Sequence, residues 1–148
     1  MNLLRKNSQV QNFSETIGNY LLELIRSPHY EWNSTSNFAN LFDVHPSTVT
    51  EHFQKLADLG LVKYERYKGV KLTELGIKEG ELLIWKHRIL ETFFSNYLGL
   101  LKEDACKEAS KIDFFISENI ISLICKKFNH PNKCPCGFEI TKRFCNDK

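Results

Sequence analysis

Apolar residues recur along this chain at helical spacing, interrupted once by a short stretch with strand character. Ile17, Leu21, Leu24 and Ile25 fall on one stripe and predict a helix from about Ser14 to Arg26, ended by Ser27-Pro28-His29. The stretch STSNFANLF at 34–42 predicts a short helix with Ser34 or Thr35 near its N-cap and with Phe38, Leu41 and Phe42 facing inward. Asp43-Val44-His45 then reads as a tight turn, and Pro46 suits the first turn of the next helix, where its missing N–H is no loss. Val49, Phe53 and Leu56 give that helix an apolar face, while Ser47, Thr48, Thr50, Glu51 and Lys55 mostly take the other. Gly60 stops it. Leu61 to Glu65 and Val70 to Thr73 predict two short strands around the turn Arg66-Tyr67-Lys68-Gly69.

Beyond Thr73 one long helix is predicted to about Tyr97, carrying Leu75, Leu82, Leu83, Trp85, Ile89, Leu90, Phe93 and Phe94. Gly99 breaks it. A further helix is predicted over 102–114, and another follows Ser117, a good N-cap, through Ile120, Ile121, Leu123, Ile124 and Phe128. These faces hold more apolar surface than one small domain needs, which predicts a second copy of the chain as partner. Folding of the same helices back onto the first domain is the alternative.

The 148 residues, 42% hydrophobic and 26% charged with a net charge of +2, describe an ordinary globular protein whose charge total neither requires nor excludes a nucleic-acid partner. No apolar run is long enough for a membrane span, and the polar stretch 1–12 lacks the apolar core of a signal peptide, so a cytoplasmic location is expected. Five cysteines in such a compartment read as buried thiols, metal ligands or redox groups rather than structural disulfides. No Gly-rich phosphate loop and no nucleophile paired with a base is legible, which argues against an enzyme.

Three helices and a basic-tipped hairpin make a winged helix-turn-helix, in which the third helix enters the major groove of double-stranded DNA and the hairpin reaches the flanking backbone. Ser47, Thr48 and Thr50 have short side chains that allow close approach, with hydroxyls for phosphate or base edges and Thr methyls for thymine. Pro46 and His45 sit at the helix entry, the imidazole within reach of a phosphate, and Glu51 either accepts from a cytosine amino group or balances Lys55. Arg66, Tyr67 and Lys68 at the wing tip grip the backbone without reading sequence. Ser36 and Asn37 open the preceding helix, whose N-terminus suits a phosphate. Each of these residues is, alternatively, a solvated surface group.

The blocks HPSTVTEHFQKLADLGLVKYERYKGVKLTELG, KHRILETFFSNYLGL and SENIISLI, followed by HPNKCPCG, resemble the diphtheria-toxin-repressor and manganese-transport-regulator family, also called the iron-dependent repressors. The resemblance covers about 14–140. It implies a mainly α fold: an N-terminal winged helix-turn-helix of three helices and a β-hairpin wing over 1–73, an all-helical dimerisation and metal-binding domain over 74–140, and a C-terminal tail over 141–148. It further implies a homodimeric repressor that binds an operator when loaded with a divalent metal, in the short form without a third domain. The family's primary metal positions fall on Asn19, Leu22, Ser110, Asp113 and Phe114, of which only Asp113 is a good ligand. The ancillary metal positions fall on His87, Glu91 and Cys106, a set softer than usual and suited to zinc, with iron and manganese as the family's other ions. The alternative there is a His–Glu hydrogen bond with Cys106 merely buried.

The remaining cysteines leave three readings open. Cys134, Cys136 and Cys145, with His130 or Cys125, could bind zinc or an iron–sulfur cluster; a pair of them could form a regulatory disulfide; or CPCG is a structural turn. A regulator that responds to thiol chemistry, or one that needs no metal, therefore stands beside the metal-dependent repressor.

Overall fold

Helix-forming stripes become helices wherever the chain supplies a stop. In the computed structural model, which describes residues 15–28 and 31–145, the order is α1 (Glu15–Arg26), α2 (Thr35–Phe42), α3 (Pro46–Asp58), β1 (Val62–Glu65), β2 (Gly69–Leu72), α4 (Glu74–Leu98), α5 (Lys102–Ile112) and α6 (Glu118–Lys127). The expectations for 1–12, Ser14 and His29 lie outside the described residues. No described helix is long and apolar enough to cross a membrane. The chain packs as two units that divide after Gly80, within α4.

In the first unit, Ile17, Leu21, Leu24 and Ile25 of α1 are buried with Val49, Phe53 and Leu56 of α3, as their spacing predicts. Each such side chain contributes about 1.5–3 kcal/mol when fully buried. Ser34 caps α2 by accepting from the Asn37 N–H at 3.2 Å, and Asp43 ends it in the left-handed region at φ 51°. One inward assignment is corrected: Leu41 is 57% exposed. The inward arc of α2 runs from Phe38 through Phe42 to Ala39, and at about 100° per residue Leu41 falls about 60° outside its Phe38 edge.

The wing pairs Val62 with Leu72 and Glu65 with Gly69, leaving Arg66, Tyr67 and Lys68 as a three-residue loop. β2 also takes a partner on its other edge. The Asn33 N–H donates to the Val70 carbonyl at 2.7 Å, and the Val70 N–H donates to the Asn33 carbonyl at 2.9 Å. This approach leaves no room for a side chain at Gly69, where a Cβ would lie 1.9 Å from the Asn33 oxygen.

The second unit is built on Trp85, Ile89 and Leu90 of α4, with Ala109 of α5 and Ile121 and Cys125 of α6. Cys134 and Ile140 of the C-terminal segment complete this cluster. That segment folds into a small hairpin: the Gly137 N–H donates to the Cys134 carbonyl at 2.8 Å, and the Ile140 N–H donates to the Asn132 carbonyl at 2.8 Å. Past it, Phe144 packs on Trp85 at 5.8 Å, and Arg143 donates to the Glu81 carboxylate at 3.0 Å. α6 has two apolar faces. Ile121 and Cys125 point into the core, whereas Ile120 and Leu123 are 47% and 62% exposed.

Candidate nucleic-acid interface and candidate metal centre

The N-terminal end of α3 is held by its own entry residue. His45 Nδ1 accepts from the Ser47 N–H at 3.3 Å and lies 2.8 Å from the Ser47 hydroxyl. An imidazole that accepts at Nδ1 carries its proton on Nε2, which is thereby a donor suited to a phosphate. Pro46, Ser47, Glu51 and Lys55 are exposed and Thr48 and Thr50 half-buried on the same helix, with the Thr50 hydroxyl donating to the Pro46 carbonyl at 3.1 Å. Thr50 therefore offers its methyl more readily than its hydroxyl proton. Ser36 and Asn37 are exposed in the first turn of α2. At the wing tip Tyr67 is 92% exposed, with the Arg66 guanidinium 5.1 Å from its ring centre. Lys68 Nζ lies 2.6 Å from the Glu65 carboxylate and 5.4 Å from the Trp32 ring. The first unit thus presents a short-chained polar helix end and a basic wing, both in solvent.

The second unit carries its chemistry inside. His87 and Glu91 are one turn apart on α4, and both are 2% exposed; Asp113, the C-cap of α5, is 1% exposed. His87 Nδ1 lies 3.0 Å from the Asp113 carboxylate. Its Nε2 faces Cys106 Sγ at 3.4 Å and a Glu91 oxygen at 3.9 Å. The CPCG turn adds a residue: the Cys136 thiol donates to the other Glu91 oxygen at 2.6 Å. Burial alone would push the His87 imidazole down, but hydrogen bonds to Asp113 and Cys106, and their charge, carry it up to about 9. The Glu91 hydrogen bond, with burial and the nearby carboxylate charge, pushes the Cys136 thiol up to about 12, and burial likewise raises Cys134.

The donor set fits a divalent ion at Nε2. Metal-bound imidazoles usually give their other nitrogen to a carboxylate, and the Asp113 carboxylate lies at that position, 3.0 Å from His87 Nδ1. His87, Glu91 and Cys106 would hold the ion, and thiolate and imidazole favour a borderline ion over a hard one. At the other family positions, Leu22 is 3% exposed in the core of the first unit, and the Ser110 hydroxyl donates to the Cys106 carbonyl at 3.0 Å.

The three C-terminal cysteines grouped by sequence are divided. Cys134 is in the core, Cys136 is on Glu91, and Cys145 Sγ lies 3.4 Å from His130 Nδ1. Cys136 as a partner of Glu91 was missed; no local spacing signals a contact across 45 residues. On the outer face of α6, Phe93, Tyr97, Ile120, Leu123, Ile124, Lys127 and Phe128 line an open apolar groove of about 440 Å³.

Two family models match successive parts of the chain and meet just before α4, whereas the packed units divide after Gly80. Residues 12–70 match the family model described as the iron dependent repressor N-terminal DNA binding domain, and 73–142 match the iron dependent repressor metal binding and dimerisation domain. An uncharacterised HTH-type transcriptional regulator of Methanocaldococcus jannaschii is 39% identical over 87 residues, 59% of this chain and 70% of the relative. The HTH-type transcriptional regulator MntR of Oceanobacillus iheyensis is 36% identical over 104 residues, 70% of this chain and 69% of the relative. Among solved structures, a hypothetical protein of Sulfolobus solfataricus superposes with a TM-score of 0.70 at 32% identity, over 87% of this chain and 99% of that one. A manganese-dependent transcriptional repressor in complex with manganese gives 0.74 at 28% identity, over 88% of this chain but only 60% of that longer one. With both of its domains matched, the chain belongs to the iron-dependent repressor family of transcriptional regulators.

Proposed function

We propose that this chain is a homodimeric, metal-responsive repressor that reads an operator with α3 and grips its flanks with the wing. The observation that carries the proposal is the joint presence of two features. One is a winged helix whose polar end and basic tip are exposed; the other is a buried imidazole with carboxylate and thiol donors in a domain matched to metal binding. Thr48 and the Thr50 methyl supply base contacts, Ser47 and the His45 Nε2–H reach phosphates, and Arg66 and Lys68 hold the backbone. The groove on α6, with exposed Tyr97, Ile120 and Leu123, supports a self-complementary dimer contact. Two such chains would address half-sites about one helical turn apart. His87, Glu91 and Cys106 would hold the ion, which would supply positive charge among them, with Asp113 on the other ring nitrogen keeping the imidazole aimed.

The test is selection of bound sequences from random duplex DNA, followed by fluorescence anisotropy on the selected site with zinc, iron(II), manganese(II) or chelator. Affinity that rises at least tenfold with one of these ions supports the reading, and no selected sequence would end it. Undiminished affinity in chelator would favour the metal-independent form instead. That second reading has an observation of its own: Asn19 and Leu22 stand where the family resemblance places first-helix ligands, and Leu22 offers no donor.

A further inference from the structure

A second cluster of metal-ligating side chains lies away from the His87 centre and shares no residue with it. α6 ends in a Schellman turn, in which the His130 N–H donates to the Cys125 carbonyl at 2.9 Å and the Asn129 N–H donates to the Lys126 carbonyl at 2.9 Å. In an uninterrupted helix, residues five apart point about 140° away from each other. Here Asn129 and His130 both take positive φ, 54° and 53°, and the reversal turns His130 back over the helix end. Its Nδ1 reaches 3.5 Å from Cys125 Sγ. From the other side, the C-terminal segment brings Cys145 Sγ to 3.4 Å from the same nitrogen. The three ligand atoms all lie within 4.8 Å of one another.

We infer that Cys125, His130 and Cys145 form a zinc-binding site that fastens the C-terminal segment to the end of α6. A tetrahedral ion with sulfurs at about 2.3 Å and a nitrogen at about 2.0–2.1 Å sets S···N edges of roughly 3.6 Å, and the two edges here are 3.5 and 3.4 Å. A ring nitrogen has one lone pair or one proton, so as a hydrogen-bond partner Nδ1 can serve one of these sulfurs, not both. A cation between the three serves all of them. Two thiolates and an imidazole select zinc or a similarly borderline ion over manganese or magnesium, and water completes the fourth position. Cys125 is 2% exposed at the edge of the Trp85–Ile121 core, which backs the site with apolar surface. Binding converts two neutral thiols and one Zn²⁺ into a bis-thiolate complex and releases two protons, so affinity rises with pH. The ion holds Cys145 next to Phe144, and with it the ring that covers Trp85.

The experiment is titration of the reduced, metal-free full chain with Co²⁺, reading the thiolate-to-cobalt charge-transfer band, followed by competition with Zn²⁺. The band should persist in a Cys106→Ser/Cys136→Ser double variant, and in that background Cys145→Ser should weaken it with about a hundredfold loss of affinity. A band unchanged by Cys145→Ser in that background, or abolished by the Cys106/Cys136 pair alone, overturns the assignment. In the unsubstituted chain, zinc should slow alkylation of Cys125 and Cys145, read by peptide mass mapping. Equal alkylation with and without zinc, or a Cys125–Cys145 disulfide that zinc fails to prevent, also overturns it. Operator affinity is not among the readouts, so this site and the repressor function fail independently.

Discussion

The two units solve opposite problems with the same helical material. In the first, the candidate DNA-contacting groups lie in solvent: Ser47, Glu51, Lys55, Arg66, Tyr67 and Lys68 are exposed over an apolar core of Tyr20, Phe38 and Phe53. In the second, His87, Glu91 and Asp113 are each 1–2% exposed, and large apolar side chains are left in solvent: Tyr97, Ile120 and Leu123. Recognition of a long polyanion needs a charged surface and tolerates water. A response to an ion needs desolvated donors whose geometry is held by packing. The comparison predicts that substitutions at the buried donors and the apolar patch of the second unit change stability and assembly, whereas those at the exposed polar residues of the first change affinity alone.

The largest effect should come from Asp113→Ala. It leaves a buried imidazole that prefers its charged form without its carboxylate, and breaking such a pair costs about 3–5 kcal/mol. Urea unfolding should show this as a lowered midpoint with an unchanged slope; a loss under 1 kcal/mol would mean that the centre is wetter than its burial indicates.

Next is pH. With the folded His87 value at about 9 against 6.5 unfolded, the protonated pair stabilises the metal-free fold fully below pH 6.5, and this is lost as pH rises through about 9. The ceiling is roughly 3 kcal/mol. Unfolding in chelator at pH 6 and pH 10 measures it, and Asp113→Asn should flatten most of the difference.

Leu123→Glu should weaken self-association by about a hundredfold, the size expected at the centre of a contact, while leaving helix content intact. Sedimentation velocity reads it, and an unchanged dimer would move the interface off this groove.

The smallest effect belongs to the wing. Arg66→Ala should leave stability within about 0.5 kcal/mol while lowering the salt dependence of operator binding by about one ion per site. Lost specificity rather than lost salt dependence would make Arg66 a base reader and blur the division of labour.

The same contrast explains how much was legible in the sequence. The first unit was readable because its signals are local: Ser34, Pro46 and Gly60 punctuate helices, and Val49, Phe53 and Leu56 are spaced for one face. Leu41 failed because two turns of helix cannot by themselves say which edge of an apolar arc meets the core. In the second unit the His87–Glu91 pair was visible as an i, i+4 spacing on one helix. Which part of α6 serves the core was not, since Ile120, Ile121, Leu123 and Ile124 spread over an arc of about 160°, wider than one packing face needs. The cysteines stay open in the sequence because the hairpin and the turn after α6, not local spacing, send Cys136 to Glu91 and Cys145 to His130.

The bridge between Asn33 and Val70 has a consequence for modularity. The stretch that carries both reading elements, α3 and the wing, begins and finishes at the same two hydrogen bonds. Its ends are clasped to each other before the chain goes on to α4, so the reading head is a self-closed cassette. A swap between relatives cut before Asn33 and after Leu72 would carry α2, α3 and both strands of the wing together. A cut at Gly60 would divide the helix from its wing.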